Sequence, residues 1–231
     1  MIRYFDPDKW RSKRPAVAVG IPMTATLHRT AVNQFLSLML RLREDDVFLP
    51  CIESAIASEA RNTIINEFLN LPESVEYLFL FDDDMTIPIH TIEIMTWWKK
   101  PFVAGLCTQK QPPFLPTIYT DAHTIESDTY HKHSGDQIQL VQHIIDFPLD
   151  SGLREVDAVG AACLCLHRDL LKAIPAPWFK FEGGGEDIYF SRKVRAAGYK
   201  LLVDTHTHPG HIGQYTASYE DFVKLRDAGA T

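Results

Sequence analysis

Three consecutive aspartates, Asp82, Asp83 and Asp84, close the apolar run "EYLFLF" that begins at Glu76. Crowding like charges at the end of a hydrophobic segment is costly unless a cation meets them. Carboxylates at i and i+2, placed where a strand leaves a sheet, point the same way once the chain turns. Oxygen ligands of this kind suit Mg²⁺ or Mn²⁺. The plainer reading is a helix cap or Asx turn ahead of Pro88, for which one aspartate suffices. A second acidic pair, Glu186 and Asp187, follows Gly183, Gly184 and Gly185 and opens a helical pattern. The helix dipole favours carboxylates there, so capping alone explains them. Yet the glycines remove side chains where a substrate could approach the backbone, and a carboxylate beside such a gap can serve as general base towards a hydroxyl.

Two further groups belong with these. In "SEARN", Arg61 and Asn62 fall in the first turn of a helix, and arginine is the natural partner of planar or phosphate groups; a solvated arginine is the common alternative. In "VDTHTHPGHIG", His206, His208 and His211 follow a strand. A strand-end imidazole can complete the coordination of an ion held by Asp82 and Asp84, although exposed loop histidines are the ordinary reading. His123, His131, His133 and His143 lack a compact ligand spacing and are read as loop features.

The elements that must position these residues alternate between strand and helix. "PAVAVGIPM" reads as a buried strand stopping at Pro22, and Val32, Phe35, Leu36, Met39 and Leu42 give one helical stripe. "DVFLPCIE" reads as a second strand, and "SEARNTIINEFLNLP" as a helix with Ser58 as N-cap and Pro72 as stop. "EYLFLF" is a third strand, "PIHTIEIMTWW" a helix with Pro88 near its first position, and "PFVAGLCT" a fourth strand. Residues 111–150, rich in Pro, His and Thr, read as loops plus a hairpin across the site. Then "REVDAVGAACLCLHRDLLKAI" gives a strand running into a short helix. The glycine cluster leads to a helix ending at Gly198 and a further strand, "HTHPGHIG" is a loop, and "SYEDFVKLRDAG" is a terminal helix. The alternation predicts an α/β fold whose central sheet is mostly parallel, with helices on both faces and ligands beyond the strands' carboxyl ends.

Composition narrows the class. The 231 residues are 45% hydrophobic and 23% charged, as in an ordinary globular protein. A formal net charge of -7 argues against broad adhesion to nucleic acid or anionic membrane. No apolar run approaches the roughly 20 residues that span a bilayer. The first fifteen residues are charged and broken by prolines, unlike a secretory signal. Cys51, Cys107, Cys163 and Cys165 sit in apolar surroundings without a CxxC pair, which fits reduced thiols in the cytoplasm.

Taken in order, the strand ending in "GIPM", the "ARN" helix, the "DDD" strand end, "GGGED" and "GYKLLVDT" leading to "GHIG" resemble a GT-A-fold glycosyltransferase, similar to glycosyltransferase family 2. The resemblance spans roughly residues 15–213. It implies a single domain of GT-A-like, Rossmann-like architecture, with 15–110 as the nucleotide-binding half and 111–150 an insertion. Residues 151–213 would be the acceptor half and 214–231 a C-terminal helix. It implies a nucleotide-diphosphate sugar held by Pro22, Thr24, Arg61, Asn62, Asp82, Asp83, Gly184 and Gly185. It implies Mn²⁺ or Mg²⁺ on Asp82, Asp84 and His211, with His206 and His208 as competitors of His211. Asp187, with Glu186 beside it, would be the base for an acceptor hydroxyl, inverting the anomeric carbon. The insertion departs from the family's pattern, so glycan, protein, small molecule and modified nucleic-acid base all stay open as acceptors.

Two rivals share these residues. "FLFDDDMT" also fits the hhhhDxDxT signature of haloacid-dehalogenase-like phosphatases, with Asp82 as nucleophile and Asp84 as acid/base, but a complete α/β unit precedes it. A non-catalytic nucleotide-sugar-binding module is the other. A Rossmann dehydrogenase is excluded because the first strand leads to "GIPMTATLH" and not to GxGxxG.

Overall fold

The computed structural model describes residues 5–23, 29–50, 52–54, 56–121, 141–182, 184–213 and 216–229. Its centre is a sheet of seven strands: β1 (Ala16–Gly20), β2 (Val47–Phe48), β3 (Val75–Phe81), β4 (Phe102–Gly105), β5 (Leu153–Val156), β6 (Cys163–His167) and β7 (Leu201–Asp204). They lie in the order β5-β7-β4-β6-β3-β1-β2. Strands β1, β2, β3, β4 and β7 share one direction, whereas β6, between β3 and β4, and β5, at the edge, run the other way. The sheet is therefore mixed and mostly parallel. The reversed β6 follows from its connections, which hydrophobic patterning alone does not disclose.

The strands read as continuous apolar runs because both faces are buried. Along β3, Leu78 and Leu80 face one core while Tyr77, Phe79 and Phe81 face the other; along β1, Ala16 and Ala18 oppose Val17 and Val19. The first core is completed by α3 (Ala57–Leu69), α5 (Arg168–Ala173), α6 (Glu186–Ala196) and α7 (Tyr219–Asp227), through Ile64, Phe68, Leu170, Phe190 and Phe222. The second is covered by α2 (Arg29–Met39) and α4 (Thr91–Trp97), through Phe35, Leu38, Ile92 and Met95. A short first helix, α1 (Pro7–Arg11), packs on α4 by the edge contact of Trp10 with Trp97.

Several local expectations shift. Helix α3 begins one residue before Ser58, with Ile56 as its N-cap and no side-chain cap bond; Ser58 is buried inside the first turn. Helix α4 starts at Thr91, a turn after Pro88. The hairpin expected within 111–150 is present as Ile118–Asp121 paired with Val141–His143, and a third strand, Ala158–Val159, joins it. Residues 122–140, with His123, His131 and His133, lie outside the described residues. "HTHPGHIG" is not all loop: Gly210–Ile212 is a strand, pairing antiparallel with Met85–Thr86. Helix α7 opens on a full capping box between Ser218 and Asp221.

The start of the sheet is held by a fully buried ion pair. Asp46 accepts from Arg14 Nη1 at 2.8 Å and Nη2 at 2.5 Å, and from the backbone N–H groups of Val17 and Arg43 at 3.0 and 2.7 Å. Burial opposes the charge, but these donors outweigh it and hold the carboxyl below its ordinary range. With a lowered folded pKa, the stabilisation is present above the unfolded carboxylate pKa and lost as pH falls through the folded one. Asp46→Ala should cost about 3–5 kcal/mol in urea unfolding at neutral pH, because it strands the Arg14 guanidinium in the interior. The loss relative to wild type should shrink as pH falls below the carboxylate range; a variant equally stable at neutral pH would refute this account.

Candidate active site

The site forms at the carboxyl end of β3, where the chain turns through Asp82–Asp84. Asp82 N–H donates to the Ala162 carbonyl at 3.1 Å, and Met85 N–H closes a turn on the Asp82 carbonyl at 3.3 Å. This turn separates the aspartates. Asp82 faces Arg61, whose Nη2 donates to its Oδ1 at 2.6 Å. The other arm of Arg61, Nη1, donates to Glu186 Oε1 at 2.8 Å. The guanidinium lies over the Phe179 ring at 5.4 Å and is almost wholly enclosed, its side chain 5% exposed. Burial works against its charge, but Asp82, Asp187 and Glu186 more than offset that and push its pKa up.

Asn62, next to Arg61 in α3, turns elsewhere. Its Oδ1 accepts from the backbone of Trp178 and Phe179, both at 3.0 Å, and its Nδ2 donates to the Phe179 carbonyl at 2.7 Å. Its amide thus clamps the segment that supplies the ring beneath Arg61. Pro22 does reach the site: with Met23, Ser54, Ala57, Ala60, Arg61, Asp82, Asp83 and Asp84 it lines a cleft. Asp83 is buried in that wall. Thr24 lies outside the described residues.

Asp84 and His211 meet on the other side of the turn. The Met85–Thr86 and Gly210–Ile212 pairing sets His211 opposite Met85, and Ile212 N–H donates to the Asp84 carbonyl at 2.7 Å. His211 Nε2 then lies 3.3 Å from Asp84 Oδ2. Its Nδ1 is 2.8 Å from the Thr108 carbonyl, which can only accept, so Nδ1 carries a proton. Nε2 therefore either donates a second N–H to Asp84 or offers its lone pair to a cation shared with it. Burial opposes both charges, yet Asp84 raises the imidazole pKa, while His211 and Lys110 bring Asp84 down to about 2. His206 instead contacts Asp204 Oδ1 at 3.3 Å, and His208 Nε2 lies 2.8 Å from the Thr205 carbonyl.

The three expected metal ligands are thus not brought together as one set. Among the described residues no three His, Cys, Asp or Glu side chains form a metal-holding group. The physical reason is Arg61, which already meets Asp82. Asp84 and His211 do fit a cation: adjacent ligands of an octahedral ion, each bound at about 2.1 Å, lie about 3 Å apart, close to the observed 3.3 Å.

Asp187 lies in the first turn of α6, after Gly184 and Gly185, whose φ of 110° and 120° belong to glycine. Its carboxylate lies beside Gly185, and also beside Gly160, where a Cβ would sit 3.6 Å from Asp187 Oδ2 and only 2.9 Å from Thr117. Burial raises the Asp187 pKa, opposed by Arg61 and reinforced by Glu186. That direction suits a proton acceptor. The phenol of Tyr119, on the insertion hairpin, is pushed up to about 12 by burial and by the Asp187 charge. Sequence reasoning missed Lys110, Thr108, Thr117 and Tyr119. Lys110 had a usable signal, since it lies just beyond the carboxyl end of β4.

Searched against protein-family models and curated proteins, the sequence matches none. Solved structures do match. A197 from STIV superposes with a TM-score of 0.56 at 16% identity, over 86% of both chains. GalNAc-T7, solved with UDP, GalNAc and Mn²⁺, gives a TM-score of 0.53 at 12% identity over 94% of this chain. The fold is GT-A-like. The match covers 48% of the GalNAc-T7 chain, so this chain spans about half the length of that one. Among the described residues no helix is long and apolar enough to cross a membrane.

Within this GT-A-like frame Arg61 is the tie between the two acidic segments. Arg61→Met should cost about 3–5 kcal/mol in urea unfolding, since it leaves Asp82 and Glu186 desolvated without a counter-charge. Arg61→Lys should recover only part, because a single ammonium does not reproduce the two-armed geometry. Wild-type stability of Arg61→Met would refute the role.

Proposed function

We propose that this protein is a divalent-cation-dependent glycosyltransferase that moves a sugar from a nucleotide-diphosphate donor to an acceptor hydroxyl. The observation that carries the reading is the meeting of Asp84 and His211 at the end of β3, with Asp187 held nearby behind the Arg61 tie, in a GT-A-like fold. The UDP and Mn²⁺ recorded with GalNAc-T7 support the donor and the ion by analogy. A Mn²⁺ or Mg²⁺ ion on Asp84 and His211 would supply positive charge to the departing diphosphate. Asp82 serves this site through Arg61 and fixes the turn that aims Asp84. The cleft bounded by Pro22, Met23, Ser54, Ala57 and Asp83 receives the nucleoside.

Asp187 accepts the proton of the acceptor hydroxyl as that oxygen attacks the anomeric carbon and the donor's sugar–oxygen bond breaks on the opposite side, which inverts the configuration. Its raised pKa and the open backbone at Gly184 and Gly185 support this role. Glu186, committed to Arg61, positions α6 so that Asp187 faces the acceptor. The buried free thiols of Cys107, Cys163 and Cys165 support a reducing, cytoplasmic setting. The phosphatase reading is not favoured, because an Asp82 bound to a buried arginine is a poor nucleophile.

Two variants test the assignment. Asp84→Ala should weaken Mn²⁺-dependent binding of a nucleoside diphosphate at least about tenfold by titration calorimetry, as expected for losing a charged ligand; unaltered binding removes Asp84 from the ion. Asp187→Asn should keep nucleoside-diphosphate affinity and lower sugar transfer by about 10²–10⁴-fold, the range of general-base catalysis. Transfer at the wild-type rate would rule it out as the base.

A further inference from the structure

Asp84 Oδ2 has two neighbours. One is His211 Nε2 at 3.3 Å; the other is the ammonium of Lys110, which donates to the same oxygen at 2.7 Å. Lys110 sits near the tip of a pinned loop. Gln109 N–H donates to the Leu115 carbonyl, Thr117 N–H to the Cys107 carbonyl, and Phe114 N–H to the Gln111 carbonyl, each at 2.9 Å. The same loop carries the Thr108 carbonyl that orients His211. The backbone beneath Lys110 is therefore fixed. Its side chain is 51% exposed, however, and has solvent to move into.

A divalent ion shared by Asp84 and His211 uses the oxygen that faces Nε2, and that is the oxygen Lys110 holds. An ammonium and a divalent cation cannot both sit within hydrogen-bond reach of one carboxylate oxygen without strong repulsion. We propose that Lys110 is an exchangeable counter-cation of this site. It neutralises Asp84 when no ion is bound, yields Oδ2 to an arriving divalent ion, and turns to the donor's diphosphate. The pinned loop keeps Lys110 within reach of both, and an ammonium on a flexible stem suits phosphate as a point charge. The first half needs only the Asp84–His211 pair; the second rests on the proposed glycosyl transfer.

The test uses the whole chain and two titrations. Lys110→Gln removes the charge while keeping a polar, exposed side chain. Mn²⁺ alone, followed by the loss of the free-ion paramagnetic resonance signal, should bind Lys110→Gln about tenfold more tightly than wild type, as expected when a charged competitor goes. UDP or GDP at saturating Mn²⁺, followed by calorimetry, should bind the variant about tenfold more weakly. A merely structural role for Lys110 would not move these two affinities in opposite directions. Unchanged or weaker Mn²⁺ binding overturns the exchange, and tighter Mn²⁺ with unchanged nucleotide affinity overturns the diphosphate contact. Wild-type protein that binds Mn²⁺ but neither nucleotide defeats the glycosyl-transfer reading and the diphosphate contact with it, while the Mn²⁺ comparison still decides the exchange. Lys110→Arg should remain near wild type in both titrations; a tightening of Mn²⁺ there would overturn competition by charge.

Discussion

The whole site hangs on one enclosed guanidinium. Arg61 is taken out of water by α3, β3 and the Phe179 ring, a cost met only because Asp82 and Glu186 accept from its two arms and Asp187 adds a third negative charge. These partners come from positions far apart in the chain, so the tie forms only when the ends of β3 and α6 are correctly placed. Helix α3 can bring Arg61 there because it packs very close to β1: a Cβ at Gly20 would collide with the Ile64 side chain. Asn62 finishes the arrangement by fixing the backbone of Trp178 and Phe179 beneath the arginine. Adjacent residues of "ARN" thus build one structural device, with one side chain carrying the charge and the other holding its floor.

A second constraint runs through the segment after β4. Thr108 fixes the proton on His211, Lys110 reaches Asp84, and Thr117 packs against Gly160 beside Asp187. A single pinned loop therefore contacts Asp84 and His211 directly and reaches the surroundings of Asp187 through Gly160. Gly160 belongs to the same logic, since a Cβ there would collide with Thr117 at 2.9 Å, next to the Asp187 carboxylate. Displacement of this loop would disturb Asp84, His211 and Asp187 together.

Much of this was legible in the sequence where one physical rule governs a segment. Strands buried on both faces wrote themselves as unbroken apolar runs, so β1, β3 and β4 and the carboxyl-end location of the site followed directly. The glycine run before Glu186 reads in the sequence only as room for a substrate, whereas the φ values at Gly184 and Gly185 show that it also takes a backbone conformation that favours glycine. Where two rules compete, the reading failed. Ser58 has the chemistry of an N-cap, but tertiary packing starts α3 earlier and buries it. The i, i+2 spacing of Asp82 and Asp84 implied one shared ligand, whereas the turn closed by Met85 N–H sends them to different partners. Thr108 and Thr117 carry no motif at all, and Lys110 offers only its place past the carboxyl end of β4. Their importance comes from the loop's pinning across Gln109–Leu115 and Cys107–Thr117, which is a property of the fold.

The charge balance of the cleft bears on how it would accept a polyanion. Four carboxylates, Asp82, Asp84, Glu186 and Asp187, face the permanent cations of Arg61 and Lys110. Arg61 is spent on the interior and cannot turn outward without abandoning two of those carboxylates. A nucleotide diphosphate entering this field would meet net repulsion from the protein alone, in a cleft where low-dielectric walls strengthen it. In the proposed reading, a divalent cation on Asp84 and His211 would reverse that sign, and a Lys110 released from Asp84 would add to it. Asp187 benefits from the same separation. With Arg61 close enough to oppose its burial, yet bonded to Asp82 and Glu186, its carboxylate keeps a raised affinity for a proton without being neutralised by a direct salt bridge. In the proposed reading, the buried arginine would let one cleft hold an anion-attracting end at Asp84 and His211 and a proton-accepting one at Asp187.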